Sequence, residues 1–203
     1  MIDGHTRNLL PRLTGGLIAL YRRVGVTPNQ LTVLGFAIAV VAAFLVSRGH
    51  AWSAIAVWWL GRLVDGTDGI LARATGQTSD FGGYLDITLD MAAYSLMVLG
   101  FYFWQPQFAV LWMITLILYV LAITSALSLG ALERARGLDN DNRSLKLAAG
   151  LAEGGETGIS YTLMLLLPQF INVLLPLWIA LLVLTFAART GLAWRLLEGN
   201  KRL

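Results

Sequence analysis

Six long stretches of mostly apolar residues run along the chain, separated by short polar segments. Each has 19 to 27 residues, and about 20 predominantly apolar residues are enough to cross the hydrocarbon core of a bilayer as a helix. The stretches are Gln30–Arg48, Trp52–Ala74, Asp80–Trp104, Phe108–Arg134, Leu147–Leu167 and Ile171–Leu192. The pattern predicts an all-α integral membrane protein with a six-helix transmembrane bundle over residues 30–192. The second and fifth stretches carry acidic residues and have the weakest hydropathy signal.

Composition supports one membrane domain covering residues 1–203. The chain is 57% hydrophobic and 13% charged, whereas a soluble domain is typically about 25% charged. It contains no cysteine, which excludes a disulfide framework and a thiolate metal site. The first 25 residues lack a clean apolar segment, so we expect no cleavable signal peptide. The partners we expect are the lipid bilayer and small molecules, not nucleic acid.

Basic residues gather on one side of the predicted bundle. They precede the first stretch, surround the loop between the fourth and fifth, and end the chain, whereas only Arg48 falls on the other side. The positive-inside rule then predicts a multi-pass protein of the cytoplasmic (inner) membrane with both termini in the cytoplasm. Residues 193–203 form a cytoplasmic tail in this topology. The groups concerned are Arg7, Arg12, Arg22, Arg23, Arg134, Arg136, Arg143, Lys146, Arg189, Arg195, Lys201 and Arg202.

The segment His5–Arg23 differs from the six stretches. Leucines recur in it at helical spacing, with arginines between them and at its end. This predicts an amphipathic N-terminal surface helix on the cytoplasmic leaflet. Pro11 allows a break or a later start of that helix. The alternative is an irregular basic tail.

Two pairs of carboxylates interrupt the second and third stretches. Asp65 and Asp68 are three residues apart, and Asp86 and Asp90 are four apart, so each pair shares one face of a helix. The two stretches are antiparallel and joined by residues 73–79, which brings the four acids to a similar depth, near the cytoplasmic surface. One Asp at the centre of a membrane helix costs on the order of 2.5 to 3.5 kcal/mol.

A divalent cation would remove the repulsion between these acids. Oxygen ligands suit Mg²⁺, Mn²⁺ or Ca²⁺, and the lack of a nearby Cys or His argues against zinc. Four carboxylates can hold two ions that clamp a phosphate or pyrophosphate. Arg73 could contact phosphate oxygens or serve only as a positive-inside residue. Four neighbouring glycines either leave room for a ligand or simply pack helices; they are Gly66, Gly69, Gly82 and Gly83.

The acids belong to a longer pattern, D-x2-D-G-x2-A-R-x8-G-x3-D-x3-D, which starts at Asp65 and ends at Asp90. It resembles the signature of the CDP-alcohol phosphotransferase family, and every fixed position matches. From residue frequencies, a chance match in such a chain is on the order of 10⁻⁷ to 10⁻⁸. The segment Thr27–Thr32 is also similar to the T-P-N-x-L-T segment of that family. The family's surface helix and six membrane helices agree with the hydropathy pattern.

The resemblance implies a metal-dependent enzyme of phospholipid biosynthesis. It would transfer a phosphatidyl group from CDP-diacylglycerol to an acceptor alcohol and release CMP, with two Mg²⁺ or Mn²⁺ ions and a homodimeric assembly. Asp65, Asp68 and Asp86 would bind metal. Asp90 would touch one ion and act as the general base, since a hydroxyl is a poor nucleophile at neutral pH. The implied contacts to the CDP donor are Pro28, Asn29, Gln30, Leu31, Gly69, Arg73, Ser79 and Gly82.

The acceptor is left open by the sequence. A phosphorylated acceptor needs a basic pocket, for which Arg134, Arg143, Lys146 and Arg189 are candidates, although all four could simply enforce topology. Glu153 and Glu156 lie early in the fifth stretch. They would either line a site for a polyol or an amine, or pair with the nearby arginines.

Three other functions compete with this interpretation. A soluble CDP-alcohol could donate its phospho-headgroup to a lipid alcohol. A divalent-cation transporter would also place acids in a membrane, but the acids cluster at one depth and no inverted repeat is evident. A non-catalytic lipid-binding bundle would need no base at Asp90.

Overall fold

The chain is described by a computed structural model that covers residues 14–137 and 154–198. Within these two ranges every regular element is helical. Short 3₁₀ turns at Pro106–Phe108 and Pro168–Phe170 lead into two of the helices. The α-helices are α1 (Gly15–Val24), α2 (Pro28–Ser47), α3 (Ala51–Asp65), α4 (Asp68–Thr75), α5 (Asp80–Trp104), α6 (Ala109–Ala135), α7 (Gly154–Leu166) and α8 (Ile171–Glu198).

Four of the described helical segments are long and apolar enough to cross a membrane: Pro28–Ser47, Asp80–Trp104, Pro106–Ala135 and Pro168–Glu198. They correspond to the first, third, fourth and sixth predicted stretches, which confirms the prediction of an all-α membrane protein. The count of six spans and the orientation stay predictions. The two remaining stretches are those with acidic residues. The second is divided between α3 and α4, and the described part of the fifth is the 13-residue helix α7.

The two ends of the predicted architecture extend beyond the described residues. Helix α1 overlaps the predicted surface segment, extends one residue beyond its end and buries Ile18; residues 5–13 of that segment fall outside the described ranges. The cytoplasmic tail predicted from residue 193 begins as helix, because α8 continues to Glu198; residues 199–203 are also outside.

Helix α2 packs against the three helices that carry the acids, α3, α4 and α5. At its crossing with α5, a Cβ added to Gly100 would lie 2.5 Å from the carbonyl oxygen of Ala43. Glycine and alanine permit such backbone approach, which is how helices pack without a hydrophobic driving force in lipid. Ala39, Ala42 and Ala93 are fully buried in the same core.

An aromatic hydrogen-bond chain fills the middle of the bundle. The Trp178 indole on α8 donates to Tyr119 Oη on α6 at 3.1 Å. Tyr119 and Tyr161 share a hydrogen bond of 2.7 Å, and Tyr161 donates to the Tyr94 carbonyl on α5 at 2.9 Å. Because unpaired polar groups are costly in an apolar interior, this chain fixes the four helices relative to one another. Tyr94 lies one turn after Asp90, so the chain also fixes the position of the helix that carries Asp86 and Asp90.

Candidate metal centre

A short break in the second predicted stretch sets the geometry of the first two acids. Helix α3 ends at Asp65 and α4 begins at Asp68, with Gly66 and Thr67 between them. Thr67 is fully buried, and its hydroxyl donates to the Val64 carbonyl at 2.6 Å. The Val64 carbonyl also accepts from the Thr67 amide at 3.2 Å, so Thr67 closes the last turn of α3 with both its amide and its hydroxyl. The prediction of one continuous helix through both acids was therefore wrong in detail, although the two carboxylates still face one region.

Asp65 lies where α3 crosses α2. A Cβ added to Gly35 would lie only 2.9 Å from Asp65 Cβ and 3.2 Å from the Gly61 carbonyl oxygen. The two glycines therefore allow the helices to approach at this point. Asp65 itself is 8% exposed, so its carboxylate requires counter-charge or hydrogen bonds.

Asp68 is held by two neutral donors at the start of α4. The Thr32 hydroxyl on α2 donates to Asp68 Oδ2, and the Gly69 amide donates to Asp68 Oδ1. Thr32 is 2% exposed, so its hydroxyl has little freedom. Thr32 is the last residue of the T-P-N-x-L-T segment. This segment therefore helps to orient Asp68, which belongs to the longer signature.

Three of the four predicted acids converge. Carboxylate oxygens of Asp65, Asp68 and Asp86 all lie within 4.8 Å of one another. Asp86 comes from α5, two turns after that helix begins. An all-oxygen donor set of this kind fits Mg²⁺ or Mn²⁺, so the residues present suit the predicted metal.

Asp90 occupies a different environment, one turn further along α5. Its Oδ1 pairs with Arg62 Nη1, and its Oδ2 accepts from Tyr94 Oη at 3.3 Å. Among the described residues it is not in the group of acids that converge. The roles assigned to it from the sequence, metal contact and general base, stay predictions.

Arg62 is a part of the site that the sequence interpretation missed. Its Nη1 also lies 3.4 Å from Asp65 Oδ2, so one guanidinium nitrogen contacts an acid from each of two helices. The guanidinium carbon is 5.0 Å from the Trp58 ring centroid and 5.4 Å from that of Tyr94. The i, i+3 spacing to Asp65 was a visible signal for the first contact. The contact with Asp90 has no local sequence signal.

The predicted donor-binding segment at the start of α2 is folded against the start of α5. Thr27 and Gln30 form a reciprocal capping box, which occupies the Gln30 side chain. Leu31 is 1% exposed and packs with Ile18 and Leu71, so its observed side-chain role is structural. Pro28 is also buried.

Asn29 is the member of that segment which reaches α5. A Cβ added to Gly82 would lie 3.1 Å from both Asn29 Oδ1 and Ser79 Oγ. Ser79 caps α5 by accepting from the Gly82 amide at 3.0 Å. The exposed guanidinium of Arg73 lies over Gly69, 3.3 Å from where a Cβ would be. Arg73 lies on the same helix as Asp68, and Ser79 caps the helix that carries Asp86. The contacts of these polar groups with the donor stay predictions.

The candidate acceptor residues are only partly described. Arg134 is exposed in the last turn of α6, and Glu156 lies half-buried in the first turn of α7. Arg189 is buried, and its Nη1 donates to the Ala122 carbonyl and to Ser125 Oγ on α6. Arg143, Lys146 and Glu153 lie outside the described residues.

Comparison with known proteins identifies the family. The model of the CDP-alcohol phosphatidyltransferase family matches residues 25–185. Inner membrane protein YnjF of Escherichia coli is 33% identical over the full length of both chains. The chain therefore belongs to the CDP-alcohol phosphatidyltransferase family, whose members depend on a divalent metal, and it is a membrane transferase of phospholipid biosynthesis. Membership leaves the transporter hypothesis without support.

Solved structures support the same conclusion. Phosphatidylinositol phosphate synthase (PgsA1) of Mycobacterium tuberculosis, solved with CDP-DAG bound, superposes with a TM-score of 0.72 at 27% identity. The match covers 90% of this chain and 94% of that one. The same synthase in complex with manganese and citrate gives a TM-score of 0.71 at 26% identity, over 89% and 88% of the two chains. Manganese in that relative agrees with the oxygen-rich three-acid cluster described above.

Proposed function

We propose that this family member transfers a phosphatidyl group from CDP-diacylglycerol to a small alcohol and releases CMP. The observation that carries the proposal is the convergence of Asp65, Asp68 and Asp86 into one oxygen-rich cluster. The overlap with a synthase that binds CDP-DAG supports the choice of donor. A diacyl donor also suits a site built between membrane helices, because its tails can stay in lipid.

The chain's own residues divide the reaction among them. The three acids would hold the metal, which when bound offsets the negative charge of the pyrophosphate. Arg73 and the segment around Asn29 would orient the cytidine diphosphate. Asp90 would accept the proton of the acceptor hydroxyl. The acceptor oxygen then forms a bond to the phosphorus that carries the diacylglycerol, the bond from that phosphorus to the bridging oxygen breaks, and CMP leaves.

The membrane arrangement is part of the same proposal. We infer six crossings with both termini in the cytoplasm, the site at the cytoplasmic face of the inner membrane, and a homodimer. The relative named as an inner membrane protein supports the location. The basic residues on one side of the bundle support the orientation.

Release of CMP by the purified protein tests the reaction. The protein, in detergent–lipid micelles with Mn²⁺ or Mg²⁺, is given CDP-diacylglycerol and a panel of acceptors: glycerol 3-phosphate, inositol 1-phosphate, inositol and serine. We expect one acceptor to give metal-dependent CMP that Asp86→Asn abolishes. Asp80→Asn is the matched control, because Asp80 is exposed at the start of the same helix. Activity only with a soluble CDP-alcohol and diacylglycerol would replace the donor, and no CMP from any donor would refute the proposal.

A further inference from the structure

One arginine serves as the counter-charge to acids on two different helices. Arg62 Nη1 pairs with Asp90 Oδ1 of α5 and lies 3.4 Å from Asp65 Oδ2 of α3. The side chains of Arg62, Asp65 and Asp90 are only 10%, 11% and 26% exposed, so water screens their charges poorly. Arg62 itself lies outside the family signature, which begins at Asp65.

The charges of the four acids act on one another. Asp90 is close enough to the cluster to repel the carboxylates of Asp65 and Asp68, and Arg62 attracts both of them. Asp86 adds to the repulsion at Asp65. Like charges in a poorly hydrated place oppose folding, so the four acids require positive charge whether or not a divalent ion is bound.

The contacts of Arg62 show that its charge matters more than the shape of its guanidinium. Nη1 alone contacts both acids, and it also lies 3.4 Å from the Tyr94 hydroxyl. An arginine that orients a carboxylate typically uses two nitrogens as a fork. Arg62 Nε, in contrast, is buried and has no hydrogen-bond partner in the described part of the chain. The guanidinium carbon lies 5.0 Å from the centre of the Trp58 ring, and an aromatic face attracts any cation in a desolvated place.

We infer that Arg62 is a fixed counter-charge that allows the folded chain to hold its four acids together before a divalent ion binds. The same charge weakens the binding of that ion, because the arginine and the ion are attracted to the same carboxylates. Arg62 acts through the acids and is not itself a catalytic residue. The inference goes beyond the proposed reaction, since it requires only that the acids bind a divalent ion.

The stability of the metal-free protein tests the inference. Thermal midpoints are measured by tryptophan fluorescence, in detergent–lipid micelles with EDTA, for the original protein, Arg62→Met, Asp90→Asn and the double variant. Removal of one partner of a buried ion pair leaves an uncompensated charge, so Arg62→Met should lower the midpoint by about 6 °C or more. Loss of both partners is far less harmful. Asp90→Asn should therefore restore at least half of that loss in the Arg62→Met background and should not raise the midpoint of the original protein. Equal effects in the two backgrounds would overturn the inference.

Affinity for Mn²⁺, measured by electron paramagnetic resonance without substrate, gives a second readout. Arg62→Met should bind Mn²⁺ about tenfold more tightly, because a positive charge no longer competes for the carboxylates. By mass action, saturating Mn²⁺ should then raise the thermal midpoint of Arg62→Met more than that of the original protein. A merely structural residue would not tighten metal binding when it is replaced. Unchanged or weaker Mn²⁺ binding by folded Arg62→Met would therefore overturn the inference.

Two further variants separate charge from packing. Arg62→Lys keeps a positive charge beside the same aromatic rings, so its metal-free midpoint and its Mn²⁺ affinity should stay close to those of the original protein. Arg62→Lys that behaves like Arg62→Met would contradict the role of the charge. Arg48→Met removes an exposed arginine at the end of α2 and should change neither quantity. Effects of Arg48→Met as large as those of Arg62→Met would show that any lost cation has the same consequence, which would also overturn the inference.

A variant that does not fold also gives an answer. If Arg62→Met cannot be purified as folded protein, Arg62→Gln takes its place in the same set of variants. A folded double variant where the single variant fails would support the inference, because only a second charge has been removed. Failure of both double variants to fold would overturn it. Absence of CMP release by the unaltered protein would refute the proposed function and would leave the stability and Mn²⁺ measurements unaffected.

Discussion

The close contact between α2 and α3 at Gly35 gives the sharpest test of how the fold positions the metal. A Cβ at residue 35 would lie 2.9 Å from Asp65 Cβ, whereas carbon atoms separate at about 3.5 to 4.0 Å at optimal contact. Gly35→Ala must therefore move Asp65 or its helix by roughly 0.6 Å or more. The three nearest atoms are Asp65 Cβ, the Asp65 amide nitrogen and the Gly61 carbonyl oxygen. None of them can rotate away as the end of a flexible side chain can.

Two energies oppose each other in this variant. Overpacking costs about 1 to 3 kcal/mol, while alanine gains about 1 kcal/mol over glycine as a helix former. Gly130→Ala in α6 is the matched control, because a Cβ there meets no described atom within 4 Å and only the helix-propensity gain applies. Gly130→Ala should therefore unfold at the same or a slightly higher temperature than the original protein, and Gly35→Ala at a lower one.

The functional loss in Gly35→Ala should exceed the stability loss. A displacement of about 1 Å in a catalytic arrangement can cost 10²-fold in rate, and Asp65 would no longer meet Asp68 and Asp86 at the same distance. We expect Mn²⁺ affinity and CMP release to fall together by about 10- to 100-fold in folded protein. Folded Gly35→Ala with unchanged Mn²⁺ affinity and turnover would refute the idea that this helix crossing sets the position of the metal ligand.

Three further outcomes follow from single contacts in the same structure. Thr32→Val removes a donor to Asp68 and should weaken Mn²⁺ binding about tenfold, whereas Thr32→Ser should keep it; equal affinities would contradict the role of the hydroxyl. Tyr119→Phe leaves the Trp178 indole without its acceptor and should lower the free energy of unfolding by about 1 to 3 kcal/mol, so an unchanged thermal midpoint would count against the aromatic chain. Chelation of divalent ions should stop CMP release and added Mn²⁺ should restore it, in the assay with CDP-diacylglycerol; full activity after exhaustive chelation would count against the three-acid centre.

The helices that the sequence predicted well are those with an unambiguous signal at both ends. Helix α2 begins at Pro28 within a Thr27 capping box, and α5 begins after the Ser79 cap, two and zero residues from the predicted starts. Apolar runs bounded by such caps leave few alternatives. The break after Asp65 was not predicted, because two residues of turn change a hydropathy average very little.

The site was predictable to the extent that its residues are close in sequence. The convergence of Asp65 and Asp68 with Asp86 follows from two antiparallel stretches and a short connection. The pairing of Arg62 with Asp90 spans 28 residues and depends on how α3 is rotated against α5. Gly35 on α2 permits the close approach of α3 at Asp65, and a glycine carries no chemical signal of its own. Sequence spacing could therefore place the acids at one depth but could not separate them into two environments.

That separation follows from the cost of charge in a membrane protein. Four carboxylates at one depth would repel one another and lose hydration. The structure compensates Asp68, Asp90 and Asp65 in different ways. Asp68 receives two neutral hydrogen bonds, Asp90 receives a cation and a phenol, and Asp65 shares that cation while facing the remaining acid. One arginine thus offsets the charge of two acids, one on α3 and one on α5. The charge balance that makes the acids tolerable in the bundle is therefore built from neutral donors at one acid and from a cation shared by two others.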